Sequence, residues 1–163
     1  MRRLALFLCL IGLVLSCKPK QTTVASTTVD RRSQVAIKGN WTITSVSFPG
    51  SEYFKVTSFD IADSKCFEGS NWQFVSNNDS GTMEITKGNC PQFSSKIKWY
   101  VNKDQQFVLK FLDAGEKAKK ERDGYILLLS NQTQESFQLI DKIDVGGKLT
   151  SVVYQFKKNN VTK

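Results

Sequence analysis

Cys66-Phe-Glu-Gly-Ser-Asn-Trp-Gln-Phe-Val-Ser-Asn-Asn-Asp-Ser-Gly-Thr-Met-Glu-Ile-Thr-Lys-Gly-Asn-Cys90 carries the pattern that decides the fold. Trp72 and Phe74 alternate with Asn71, Gln73 and Val75, the two-residue rhythm of a strand that buries one face. Asn77-Asn78-Asp79-Ser80-Gly81 follows, and its Asn, Asp and Gly tolerate positive φ, so it predicts a turn. Met83 and Ile85 then alternate with Thr82, Glu84 and Thr86 in a return strand. The two cysteines stand nearly symmetric about that turn, so folding the hairpin brings Cys66 to Cys90. They are 24 positions apart. In an oxidising compartment a bridge there contributes about 3–4 kcal/mol on the loop-entropy account. A redox pair would show Cys-x-x-Cys spacing, which the domain lacks.

The same rhythm extends in both directions. Upstream, Asn40 to Phe48 places Trp41, Ile43 and Ser45 on one face and Thr42, Thr44 and Val46 on the other, until Pro49-Gly50 ends it. Phe54 to Ile61 is a further candidate strand, while Asp60 to Gly69 reads equally as holding a short helical turn. Downstream, Ile97, Trp99 and Val101 alternate with Lys98 and Tyr100. Lys103-Asp104-Gln105 connects that run to Gln106–Leu112, where Phe107, Leu109 and Phe111 share a face. Asp113 to Asp123 breaks the pattern with Gly115 and a mixed-charge run, as a solvated loop does. Tyr125, Leu127 and Leu129 restart it, Asn131-Gln132-Thr133-Gln134 turns, and Ser136 to Asp141 returns with Phe137 and Leu139. After Gly146-Gly147, Leu149 to Lys157 closes the series with Val153, Tyr154 and Phe156. The expectation is an all-β domain over 37–158 with a short tail at 159–163. Eight or nine short antiparallel strands point to an up-and-down barrel, because closure removes exposed edges. Such a barrel is filled by side chains or holds one small ligand.

The N-terminus carries a different signal. Met1-Arg2-Arg3 precedes the uncharged apolar run Leu4 to Leu15, too short for a span of about 20 residues and proportioned as a secretory signal. It ends Val14-Leu15-Ser16-Cys17, which resembles the lipobox of bacterial lipoproteins. That resemblance implies cleavage after residue 16, an acylated (palmitate-type) Cys17, and a lipid anchor to the membrane. Lys18 at the next position implies the outer membrane, with the protein facing the periplasm of a bacterial envelope. Residues 17–36 then read as a lipidated flexible tether. Cleavage removes Arg2 and Arg3, two of the charges behind the chain's net +8.

Gly39-Asn40-Trp41, opening the first strand, resembles the Gly-x-Trp motif of the lipocalin superfamily. In that family the Trp packs at the closed end of the barrel beneath a basic residue of the last strand, a part open here to Lys157 or Lys158. The domain as a whole resembles the small lipocalin-like lipoproteins of bacteria, whose shared property is the barrel.

For chemistry, the absence of His removes the commonest general base, the usual zinc ligand and the His-containing triads. Asp60 with Asp63, or Asp141 with Asp144, could form an acid–base couple. Both pairs fall at strand ends, where carboxylates are solvated, so no catalytic group and no cofactor or metal is expected. The basic run Lys117–Arg122 lacks neighbouring rings to stack bases, which argues against nucleic acid. The aromatic residues of the inward face remain. Either they fill the barrel as core, or Trp72, Phe74, Trp99, Phe107 and Tyr125 line a cavity for a small hydrophobic or amphipathic ligand. The competing class is an interaction protein whose loops dock a protein partner.

Overall fold

The structure is a computed structural model and describes residues 28–50, 55–112 and 124–159. Eight strands close on themselves: β1 (Gly39–Ser47), β4 (Asn71–Val75), β5 (Ser80–Ile85), β6 (Phe93–Val101), β7 (Gln106–Leu112), β8 (Tyr125–Ser130), β9 (Ser136–Val145) and β10 (Lys148–Lys158). Each pairs antiparallel with its neighbour around the ring, and β1 is hydrogen-bonded to both β10 and β4. The fold is the expected up-and-down antiparallel barrel, of eight strands rather than nine. Between β1 and β4 the chain crosses one end of the barrel, forming the two-residue strands β2 (Thr57–Ser58) and β3 (Ala62–Asp63) and a 3-10 turn at Ser64–Phe67. A short helix, α1 (Arg31–Ile37), precedes β1 and closes the opposite end.

The central hairpin forms as its pattern predicts. Trp72 pairs with Met83 and Phe74 with Gly81, and Trp72, Phe74, Met83 and Ile85 are all buried. The turn occupies Ser76 to Asp79, with Asp79 at φ 55°, and Gly81 belongs to the strand. Cys66 and Cys90 are bridged, their Cα atoms 5.6 Å apart.

Four expectations are corrected. In β1, Trp41 and Ile43 face inward, but the pairing with β10 slips at Thr44. Ser45 then points out and Val46 in, the reverse of strict alternation. A β-bulge explains it, because one inserted residue shifts the phase of everything after it. The candidate strand ending at Ile61 is instead the β2–β3 hairpin, with Phe59 and Asp60 at its tip; Phe54 lies outside the described residues. β9 runs past Asp141 to Val145. The folded unit also begins before residue 37. Asp30 caps α1, its side chain accepting from Arg32 N at 3.1 Å and Ser33 Oγ at 2.9 Å. Val29 bridges Asn102, so residues 28–36, assigned above to the tether, are part of the fold. Cys17 and the 113–123 loop lie outside the described residues.

Side chains fill the closed end. Phe137 stacks on Phe156 with centroids 4.4 Å apart, Trp41 meets Phe137 edge-on at 4.7 Å, and Phe74 touches Trp99 at 5.0 Å. The indole N–H groups are satisfied inside this apolar mass: Trp41 donates to Ile37 O, Trp72 to Ser70 Oγ and Trp99 to Ser80 O, at 2.7–2.8 Å. Lys158 Nζ lies 5.5 Å from the Trp41 ring centroid and donates to Gln134 O. It is therefore Lys158, and not Lys157, that covers the tryptophan.

Candidate functional site

The two ends of the barrel differ in how completely they are sealed. At the α1 end the core side chains Ile37, Trp41 and Phe137 are fully buried, although Val35 on the outer side of the helix is 61 % exposed; the partly buried hydrophobics packed against the core are Ile61, Cys90, Phe93, Phe111, Tyr125 and Ile143. These six belong to the other end: the last residues of β7, the first of β6 and β8, the far part of β9, the β5–β6 connection, and the crossing segment. At that mouth the edge of the apolar core is partly exposed.

The crossing segment fills the mouth from above. Its C-terminal half is fastened down. The disulfide ties Cys66 to the β5–β6 connection, Glu68 accepts from Val46 N at 3.0 Å, and its carboxylate pairs with Lys65 at 2.9 Å and Lys87 at 3.6 Å. Burial pushes the Glu68 carboxyl up, but the Val46 N–H and the two lysines outweigh it and leave it below the usual carboxylate range. The N-terminal half is held differently, by the tip of the β2–β3 hairpin. Ile61 N donates to Ser58 O across a two-residue turn in which Phe59 and Asp60 both adopt positive φ, 55° and 54°. Turns of this hand favour Asn and Gly; an aromatic residue there costs about 1–2 kcal/mol.

What offsets that cost is the place the turn puts the ring. Phe59 is 6 % exposed and sits among Tyr125 (5.0 Å), Phe67 (5.3 Å), Phe111 (5.5 Å) and Tyr154 (5.5 Å). Burying such a ring contributes about 1.5–3 kcal/mol. Its two neighbours in the turn reach the same phenols. Tyr154 Oη donates to Ser58 Oγ at 2.5 Å, and Tyr125 Oη donates to Asp60 Oδ2 at 3.1 Å. The tip is thus a ring flanked by two acceptors, seated in a socket of four aromatic side chains. The left-handed turn offsets part of what the ring's burial and its aromatic contacts contribute.

The socket is electrically one-sided. Asp141 lies on the inward row of β9 between Leu139 and Ile143, opposite Val152 of β10. Burial raises its carboxyl above the usual range, against a backbone hydrogen bond from Lys142. Burial, the hydrogen bond to Asp60 and the charges of Asp60 and Asp141 together push the Tyr125 phenol up to about 12. Burial also raises Tyr154, opposed by its hydrogen bond to Ser58 and reinforced by Asp141.

These shifts have a measurable consequence. The folded phenols ionise above the free tyrosine value near 10, so the fold favours their neutral forms. The stability they contribute is complete below pH 10 and is lost as pH rises from 10 towards 12. Alkaline titration followed by tyrosinate absorbance is expected to show a delayed stage coinciding with loss of near-ultraviolet circular dichroism. That stage should shrink in Tyr125→Phe; a single stage near 10 with the fold intact would contradict the socket.

The five residues proposed to line a cavity divide by depth. Trp72, Phe74, Trp99 and Phe107 are buried and occupied with one another: Trp99 stacks on Phe107 at 5.5 Å, Phe74 meets Phe107 at 5.7 Å, and Trp72 stacks on Phe74 at 6.0 Å. Tyr125 alone stands in the mouth. The site residues missed were Phe59, whose segment carries no clear alternation, and Asp141, which looks like a strand-end carboxylate if β9 stops there. The other acidic partners serve the backbone: Asp63 accepts from Lys65 N at 2.9 Å, and Asp144 accepts from Gly147 N at 2.6 Å.

Comparison of the chain with family models, with curated proteins and with solved structures gives no match. The lipocalin-like likeness therefore rests on the barrel itself, with Gly39 and Trp41 opening β1 and Lys158 lying over the tryptophan.

Proposed function

We propose that the domain binds a small apolar or amphipathic molecule in the mouth of the barrel, at the place now held by Phe59. The observation that carries this reading is the strained hairpin tip whose ring occupies an aromatic socket. A tip on a strained turn, with about 1 kcal/mol net from each hydrogen bond to the two phenols, yields to a ligand that buries more apolar surface. The reaction is one of burial and exchange, with no covalent step. We further propose that the protein works at the surface of a bacterial outer membrane, on the periplasmic side, held by an acylated Cys17. The lipobox-like Val14-Leu15-Ser16-Cys17 and the disulfide, which suits an oxidising compartment, support that placement.

Native mass spectrometry of the full chain, extracted gently from its membrane, is expected to retain a bound apolar molecule. After its removal, titration with an apolar probe should change tryptophan emission, since Trp72 lies 6.3 Å from the socket residue Phe111. Cys17→Ser should release the protein from membranes. No retained molecule and unchanged emission would sink the ligand reading, and persistent membrane attachment of the Cys17→Ser variant would sink the anchor.

A second reading, docking of a protein partner, has one observation in its favour. On the outer face of the barrel Ile126 and Leu128 are 40 % and 44 % exposed, beside Val108 and Ile140 on the neighbouring strands. Leu128→Lys separates the readings: it should leave ligand binding untouched and abolish partner docking.

A further inference from the structure

We infer that the molecule held in the mouth carries a cationic head group, an ammonium on an apolar body; this rests on the ligand reading above and names its chemistry. The hairpin tip leaves as a unit, taking Ser58, Phe59 and Asp60 with it, because Ser58 ends β2 and the other two follow it directly in the turn. What remains are the faces and edges of Phe67, Phe111, Tyr125 and Tyr154 around the vacated place, with one carboxylate among them. That carboxylate is Asp141, on the inward row of β9 two residues along from Leu139, the residue that pairs with Tyr154.

The chain has 23 Lys and Arg against 15 Asp and Glu, a surplus of cations. Yet the ion pairs among the described residues engage Asp79 and Glu68, and none reaches Asp141 or Asp60. A half-buried carboxylate that faces an apolar interior, with no cation paired to it among the described residues, favours an incoming ammonium. The rings act in the same direction, since aromatic faces attract cations and gain as water is excluded. An anionic head group meets the reverse, repulsion from Asp141 and from the ring faces. The phenol groups add hydrogen bonds, accepting from an amine N–H once the tip has gone.

The test uses the full chain with Cys17→Ser, so that no acyl chain of its own competes, and three probes sharing one tail: decylammonium, 1-decanol and decyl sulfate. Each is titrated calorimetrically below its micelle concentration into the parent, Asp141→Asn and Phe59→Ala proteins. The expected result is one site, with the ammonium bound at least about tenfold more tightly than the alcohol and the sulfate weakest. In Asp141→Asn that preference should fall to about threefold or less, with decanol affinity unchanged and the fold intact by circular dichroism. Equal binding of all three probes would overturn the cation assignment and leave the ligand reading standing, as would tighter binding of the sulfate. A cation preference that survives intact in Asp141→Asn would remove Asp141 from the site. Binding of none of them, even to Phe59→Ala, would overturn both readings.

Discussion

Trp41→Ala is expected to destabilise the domain by about 4 kcal/mol in urea unfolding, with the slope of the transition unchanged. Few positions carry so many dependencies. The indole is fully buried at the closed end, packs edge-on against Phe137 at 4.7 Å, lies beneath Lys158, and donates to the carbonyl of Ile37 at the end of α1. Truncation opens a cavity against a neighbouring stack, that of Phe137 on Phe156, that cannot collapse into it without giving up its own contacts. It also leaves the Ile37 carbonyl without its partner in an apolar setting. Trp41→Phe isolates that second part: most of the burial is kept and the hydrogen bond is lost, so a cost of about 1–3 kcal/mol should remain. A Trp41→Ala loss below about 1 kcal/mol would mean the closed end is held by something else.

Gly81→Ala should cost about 3 kcal/mol for the addition of one methyl group, at the upper end of what overpacking produces. A Cβ at position 81 would stand 2.1 Å from the Gln73 carbonyl oxygen and 3.0 Å from Ile97 Cγ1. The first obstacle is backbone of the paired strand, so rotamer changes cannot relieve it and β4 and β5 must separate. The reason for glycine lies one residue along. Phe74 pairs with Gly39 on one side and Gly81 on the other, and these two gaps give its ring room to reach Trp99, Phe107, Phe137 and Phe156. Thermal unfolding of Gly81→Ala beside Gly88→Ala makes the comparison, because a Cβ at Gly88 meets nothing within 4 Å. Similar losses at both positions would contradict this packing.

How far the chain could be read depended on whether a feature shows itself in alternation. The 71–85 hairpin and its flanking cysteines were legible because every second residue is apolar and the turn residues are distinctive. Closure followed from the number of such strands and their short connections. The bulge at Thr44 was not legible, since an inserted residue leaves the composition of β1 unchanged while reversing its faces. Alternation also reports which face a residue takes and not how deep it lies. So Trp72, Phe74, Trp99, Phe107 and Tyr125 read alike, although four are core and one is rim. Asp141 was mistaken for a solvated strand end because β9 continues through a polar, charged stretch that breaks the apolar pattern. Phe59 was hidden more completely. A phenylalanine in a left-handed turn violates local preference, and such violations concentrate where tertiary contacts over-determine the backbone. The part of the site that sequence rules miss is thus the part where local preference and the fold disagree.

That disagreement is also where the account can be tested most directly. If the hairpin tip competes with the ligand for one socket, Phe59→Ala removes the competing ring while leaving the left-handed turn in place. Calorimetric titration of the full chain carrying Cys17→Ser with 1-decanol should then give an affinity at least about tenfold tighter in Phe59→Ala than in the parent, with the barrel intact by circular dichroism. Equal or weaker binding by the intact variant would show that Phe59 is merely core, and that no ligand shares its place.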